Sequence, residues 1–352
     1  MSSDGAAFSL VCPAPLAASD RILLGHGSGG KMTADLVARC FLPAFRNPHL
    51  EKLDDQAVLA VDGGRLAFTT DAYVVTPLFF AGGDIGTLAV NGTVNDLATA
   101  GARPRWVSAA FVLEEGFPLA DLARIVASMR RAADAAGVAV VTGDTKVVER
   151  GKADGCFITT TGLGVVAHGR EISADRARPG DRVVLSGPIA EHGMTIMAAR
   201  AELELETAIA SDTAPLHEVV LDLLEAGVAV HCLRDPTRGG VATALVEIAR
   251  RSGVGMVLDE GAVPIREPVR GVCELLGLDP LYVANEGKLL AIVPAHDAER
   301  TVARMRRHAV AREACVVGEV VDDPAALVVV RTTVGGRRIA DMLPGEQLPR
   351  IC

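Results

Sequence analysis

Apolar residues between Leu119 and Ala136 recur at helical spacing. Leu119, Leu122, Val126, Met129, Ala133 and Ala136 share one face, with Pro118 ahead of them and Gly137 behind. This pattern predicts a helix over 118–136. A second helix is predicted over 84–101, opened by Asp84 and closed by Gly101, and others at 213–226, 236–252 and 298–309. Short apolar runs bounded by turn residues predict strands at 57–61 and 66–70 around Asp62-Gly63-Gly64. More are expected at 138–142, 157–166, 182–185, 289–293, 314–320 and 326–332. The run Val138–Thr142 reads as a fully buried strand. Helices and strands alternate in both halves, which makes the fold class α/β, with two strand–helix units in the first half.

The pattern also divides the chain. Residues 1–20 form an extension, 21–166 a first domain, 167–179 a charged connector, 180–335 a second domain and 336–352 a tail. Pro344, Gly345 and Pro349 oppose regular structure in the tail, which reads as mobile or loosely docked, with Cys352 at its free end.

Composition narrows the function. Hydrophobic residues make up 49% of 352 residues, enough for a sizeable core, so disorder is excluded as the main state. Thirty-five basic against 44 acidic residues give a net charge of −9, and Trp 1, Tyr 2 and Phe 9 leave few stacking platforms. Nucleic acid is therefore not an expected partner. No apolar run reaches the ~18 residues that a membrane span needs. Ala6–Ala18 resembles a short signal peptide, but no basic residue precedes it and Pro13 and Pro15 interrupt it, so a cytoplasmic location is expected. The seven cysteines contain no C-x-x-C pair. Six read as thiols of a reducing compartment, with neither a disulfide frame nor a zinc cage. Cys352 stands apart as the last residue.

Several segments could carry chemistry. Gly25 to Lys31 matches the first seven positions of G-x-x-x-x-G-K-[ST], but Met32 replaces the hydroxyl residue that holds Mg²⁺. Its backbone could receive phosphate, form a lid or simply turn tightly. Asp55, Asp71, Asp96 and Asp144 lie beside Gln, Thr, Asn or Gly, near strand ends or, for Asp96, within a helix. Each alone could be a turn or cap residue; together they suit Mg²⁺ carrying a nucleoside triphosphate. On the 84–101 helix, Asn91 and Asn95 fall within about 20° of Asp84, a polar stripe on an apolar rod. Asp235-Pro236-Thr237-Arg238-Gly239-Gly240 opens the next predicted helix, with Asp as cap and glycines exposing N–H groups to an anion. Asn285-Glu286-Gly287-Lys288 taken alone is a turn.

Together these pieces resemble the HypE family, the carbamoyl dehydratases of [NiFe]-hydrogenase maturation. The matching segments are His26-Gly27-Ser28-Gly29-Gly30-Lys31, Asn91 to Ala98, Gly143-Asp144-Thr145-Lys146, Arg234 to Gly240, Asn285-Glu286-Gly287 and the terminal Pro349-Arg350-Ile351-Cys352. HypE belongs to the superfamily of aminoimidazole ribonucleotide synthetase, selenophosphate synthetase and thiamine-phosphate kinase. The resemblance implies a two-domain fold whose N-terminal half dimerises through its strands, with ATP near that interface. It implies that a carbamoyl group arrives on Cys352 from the carbamoyltransferase HypF, is dehydrated with ATP to a thiocyanate, and passes as cyanide to an iron-carrying HypC–HypD complex. Expected roles are Mg²⁺ on Asp55, Asp71, Asp96 and Asp144, and ATP on Lys31, Asn91, Asn95, Gly143, Thr145, Arg238, Gly239 and Gly240. Glu286 is the expected base, Lys146 the residue that orients the carbamoyl group or phosphate, and His26 part of a lid. A superfamily kinase with a diffusible acceptor and a non-catalytic scaffold are the alternatives.

Overall fold

The computed structural model describes residues 22–27, 29–201, 209–345, 348 and 350–352. The signal-like stretch Ala6–Ala18, Ser28 of the glycine-rich segment and Pro349 of the tail lie outside the described residues.

Two short helices, α1 (Lys31–Leu36) and α2 (Leu42–Phe45), precede the first sheet. Strands β1 (Ala57–Val61) and β2 (Gly64–Tyr73) form a hairpin whose turn requires a positive φ, +89° at Gly63. A small ribbon of β3 (Phe79–Phe80) and β4 (Gly83–Asp84) leads into α3 (Ile85–Thr99). Then come β5 (Arg103–Glu114), α4 (Leu119–Ala136), β6 (Ala139–Val148) and β7 (Cys156–Val165). The sheet order is β1-β2-β7-β5-β6, antiparallel except where α4 crosses over between β5 and β6. The predicted α4 is real, but its buried side is Ile125, Ser128, Met129, Ala132, Ala133 and Ala136. Leu119 and Val126 are exposed; Val126 instead lines an outer groove with Phe111 and Val140.

The second half builds a seven-stranded sheet. Its elements are β8 (Arg182–Leu185), α5 (Glu191–Arg200), α6 (His217–Glu225), β9 (Cys232–Arg234), α7 (Gly240–Ser252) and β10 (Gly255–Asp259). They continue with α8 (Glu267–Leu276), β11 (Leu290–Val293), α9 (Ala298–Met305), β12 (Cys315–Val321), β13 (Val328–Arg331) and β14 (Arg337–Ala340). Strand order is β14-β13-β10-β12-β8-β11-β9. Val183, Leu185, Leu290 and Ile292 pack into one core, and Val184, Leu289, Ala291 and Val293 into another on the opposite side. Apolar residues facing both ways explain why these strands read as continuous hydrophobic runs.

Helix α3 joins the two halves. It is buried almost all round, between the first sheet, α4 and α6, which fits a helix whose polar stripe is made of amides and not of charged, solvated side chains. Among the described residues, no helix is long and apolar enough to cross a membrane.

Three expectations need correction. Of the Val138–Thr142 run only Val138 is buried; the rest belongs to an exposed edge strand, where every β6 residue except Val148 is exposed, Val141 at 58%. Its apolar pattern is genuine, but this chain alone supplies a neighbour on one side only. The helix expected from 236 starts at Gly240, capped by Gly239, so Asp235 is free for other work. Residues 337–340, assigned to an irregular tail, pair with β13 as the sheet's outer strand.

Candidate active site

The cleft lies where β2, α3, the 234–240 segment and the 285–288 segment meet the C-terminus. The last three residues are docked there. Val74 N–H donates to the Cys352 carbonyl (3.1 Å) and Thr76 N–H to the Arg350 carbonyl (3.3 Å), a short antiparallel pairing. Arg200 also donates to the Arg350 carbonyl, and the Arg350 guanidinium pairs with Asp154. His192, wholly buried, has Nε2 2.8 Å from the Ile351 carbonyl and Nδ1 2.8 Å from Ser211 Oγ. A carbonyl only accepts, so Nε2 carries the proton and Nδ1 accepts from the serine. Burial, the largest influence, holds the His192 pKa below its ordinary value, which favours this neutral form.

Cys352 is 8% exposed. Burial pushes its thiol far up; Arg238 opposes that, and Glu286 and Asp71 add to it. Docked, the sulfur is a protonated thiol facing Glu286. Glu286 is 3% exposed, and its Oε1 has no hydrogen-bond partner. Burial first, then Asp71, Asp235 and Asp212, raise its carboxyl well above the usual range. The flanking residues explain how such a carboxyl is held. Asn285 donates to the Pro236 carbonyl (2.8 Å) and accepts from Ala190 N–H (2.8 Å). Lys288 pairs with Glu191 and Asp212, each at 3.3 Å. A Cβ at Gly287 would stand 1.8 Å from the Asp212 carbonyl oxygen, so only glycine fits. What reads as a turn is a rigid cradle that aims one carboxyl at a sulfur.

Beside it is an acidic cluster. Thr69 Oγ1 lies 2.7 Å from Asp96 Oδ2 and 2.9 Å from the Asp55 carbonyl. Arg234 meets Asp55 at 2.9 Å and Glu247 at 2.5 Å. Burial, and next the charge of Asp235, raise Asp96; burial raises Asp55 against the pull of Arg234. Asp235 goes up to about 6, again mainly through burial. Asp71 bears on Asp96, Asp235 and Glu286. Negative charge thus exceeds the cations present. This excess of hard oxygen donors suits a divalent cation, although among the described residues no three such side chains already enclose an ion site. Mg²⁺ is commonly held by one or two carboxylates plus substrate phosphates, so a closed cage is not required.

The structure distributes the predicted residues unevenly. Cys352, Glu286, Arg238, Asp71, Asp55 and Asp96 come together. Gly239 and Gly240 have φ of +75° and +62°, and a Cβ at Gly240 would stand 2.5 Å from the Leu281 carbonyl oxygen. Gly29 packs on Arg238, where a Cβ would be 3.0 Å from its Cβ, bringing the glycine-rich segment to the docked tail. Among the described residues, which begin at 22, that segment opens with a single turn of helix at Leu24–Gly27. Lys31 is exposed and its backbone N–H donates to the Leu343 carbonyl (3.0 Å); His26 Nδ1 accepts from Leu23 N–H within its own turn (2.9 Å). Asp84 is spent capping α3 and accepting from Ser128. Asn95 ties Leu216 N–H (2.8 Å) to the carbonyls of Ala214 (3.1 Å) and Glu286 (3.3 Å), clamping the halves together. Asn91 donates to Thr213 (3.1 Å) and leaves Oδ1 unpaired.

Gly143, Asp144, Thr145 and Lys146 are not part of this chain's own cluster. They sit exposed on β6, three strands from Asp71, about 14 Å at ~4.8 Å per strand. Lys146 there pairs with Asp144 at 2.6 Å. Tyr73, His192, Asp212, Arg234 and the acidic role of Asp235 escaped the sequence reading. Only the last two had a signal, in the Arg234–Gly240 segment.

Comparison with known proteins agrees with this geometry. Residues 53–166 match the family of the AIR synthase related protein, N-terminal domain, and residues 178–331 that of its C-terminal domain. Carbamoyl dehydratase HypE of Azotobacter vinelandii is 58% identical over 327 residues, covering 93% of this chain and 96% of that protein. A crystal structure of HypE in complex with ATP superposes with TM-score 0.80 at 49% identity, covering 94% of this chain and 100% of that one. A HypE–HypF complex gives TM-score 0.83 at 47% identity, covering 88% and 99%. A terminal cysteine docked in an AIR synthase-type cleft and kinship along nearly the whole length converge: the chain belongs to the HypE family of carbamoyl dehydratases.

Proposed function

We propose that this protein uses ATP to dehydrate a carbamoyl group carried on Cys352, converting the thiocarboxamide to a thiocyanate for an iron ligand of [NiFe]-hydrogenase. The observation that carries the reading is the seating of Cys352 against Glu286 and Arg238. An amide oxygen leaves poorly, so it is first phosphorylated: it attacks the γ-phosphorus of ATP in line, the β–γ bridge breaks and ADP departs. Phosphate then leaves with that oxygen, and carbon and nitrogen gain two further bonds as nitrogen loses both protons. Glu286, as carboxylate, takes the first nitrogen proton and passes it to the departing phosphate before taking the second, a task suited to a carboxyl whose proton affinity burial has raised. Arg238 steadies the negative oxygens. A Mg²⁺ held by carboxylates among Asp55, Asp71, Asp96 and Asp235 would supply charge neutralisation for the triphosphate.

The exposed β6 edge and open sheet face support a homodimer built through the first domain. In that assembly the partner subunit's Asp144 and the partner subunit's Lys146 would reach the ATP bound beside this chain's acidic cluster. Loading of the thiol requires the tail to leave the cleft, since the docked sulfur is protonated and shielded. The HypE–HypF complex supports HypF as the partner, here read as donor of the carbamoyl group; a HypC–HypD complex as acceptor of cyanide follows from the family resemblance alone.

The test is intact mass after incubation with a carbamoyltransferase, carbamoyl phosphate and Mg-ATP, with Cys352→Ala alongside. The expected result is a carbamoyl adduct on wild type only, which loses one water when ATP is present. An active transferase that leaves no adduct would remove the carrier role.

A further inference from the structure

Tyr73 is one of two tyrosines in the chain and is 2% exposed, yet its hydroxyl has no hydrogen-bond partner. The nearby Thr93 hydroxyl donates to Thr160 (2.5 Å), which itself donates to the Ala89 carbonyl (3.1 Å), and makes no hydrogen bond with the phenol. A phenol sealed from water without a partner is costly, and such exceptions call for an explanation. The space around it looks prepared: a Cβ at position 92 would stand 2.3 Å from the hydroxyl, and α3 carries glycine there. The next residue, Val74, grips the Cys352 carbonyl through its N–H. Tyr73, Ile351 and Cys352 belong to one buried cluster, so the phenol ring packs in the same core as the docked tail. A phenol is protonated at neutral pH and can donate. One unpaired donor, the Tyr73 hydroxyl, and one unpaired acceptor, Glu286 Oε1, thus remain among the buried groups around the docked tail.

A carbamoyl group on that sulfur would present the complementary set, an oxygen that accepts and an NH₂ that donates. We infer that Tyr73 is a substrate-contacting residue, its hydroxyl donating to the carbamoyl oxygen while Glu286 Oε1 accepts from the carbamoyl nitrogen. The inference rests on the dehydratase reading above. The oxygen retains a second lone pair for attack on phosphorus, and the tyrosine makes and breaks no covalent bond. Its effect is orientation: the two contacts fix the amide plane so that oxygen faces ATP and nitrogen faces the base.

The test is Tyr73→Phe, which keeps ring and volume. Full-length wild-type and variant chains are loaded on Cys352 by the transferase, and loss of water after Mg-ATP is followed by intact mass. Dehydration in the variant is expected to slow about 10- to 100-fold, while the extent of loading and ATP binding are unchanged. Thermal stability should be equal or higher, because the hydroxyl removed has no partner in the resting protein. With a ¹³C-labelled carbamoyl group, the carbonyl stretch should move to higher wavenumber in the variant as the hydrogen bond is lost. An unslowed variant, an unshifted carbonyl stretch or a marked fall in melting temperature would each overturn the contact. If the wild-type adduct itself keeps its water, the dehydratase reading falls and this inference with it.

Discussion

Asp96 sits inside α3 with Thr69 Oγ1 at 2.7 Å and the charges of Asp235, Asp71 and Asp55 around it. Its folded pKa lies well above the unfolded one, mainly through burial. The folded chain therefore holds a proton that the unfolded chain gives up once pH exceeds about 4. More protons bound when folded means that this residue's contribution to stability falls as pH rises. Asp96→Asn keeps the shape and the acceptor for Thr69 while removing the charge. The expected gain in stability is about 1 kcal/mol at neutral pH, shrinking toward pH 4. Mg-ATP turnover should fall at least tenfold, since the lost charge is part of the proposed cation site. Thermal melts of both chains from pH 4 to 8 without nucleotide, with turnover at pH 8, check both halves. A variant less stable than wild type at pH 8 would contradict the charge argument.

At the scale of elements, α3 and the 285–288 cradle are coupled through Asn95. Its three hydrogen bonds reach Leu216 N–H and the carbonyls of Ala214 and Glu286. Asn95→Ala would strand these buried groups, at an expected cost of about 3 kcal/mol. The base should lose its aim as well, so dehydration should drop further than ATP binding. Denaturant unfolding and a nucleotide titration on the same variant separate the two effects. The sequence made α3 and α4 legible because each carries its own stop signal, Gly101 and Gly137, and α3 its own start, the Asp84 cap. It also made the buried strands at 182–185 and 290–293 legible from their apolar runs. It did not expose β5, whose Pro104, Arg105 and Trp106 break the alternation at a bulge against β7. Nor did it expose α5 or the buried His192, because contact with a tail 159 residues away leaves no local pattern. Asp235 followed by Pro is a textually sound helix start; packing moved the start to Gly240 and turned the acid inward.

For the whole molecule, the decisive feature is β6. Ten residues long and exposed on its outer edge, it carries Val140, Val141 and Val147 into solvent at 47%, 58% and 66%. Long, apolar, unpaired edges invite pairing with another chain, so a folded protein that keeps one requires a cover. The same strand bears the Asp144–Lys146 pair, which lies too far from this chain's own acidic cluster to serve it. A symmetric dimer resolves both facts if each cleft is completed across the interface. That arrangement makes a distinctive prediction. Asp144→Asn should inactivate the partner's cleft, and Glu286→Ala the chain's own; each pure variant should be inactive. Mixed by unfolding and refolding together, half of the dimers carry one of each chain. In those dimers one cleft holds both defects and the other holds neither, so about a quarter of wild-type activity should return. If Asp144 served its own chain's cleft, every cleft in the mixture would carry one defect and no activity would return. Single-turnover dehydration on the mixed and unmixed variants distinguishes the two outcomes, and sizing of each sample guards against a variant that has lost the dimer instead of the chemistry.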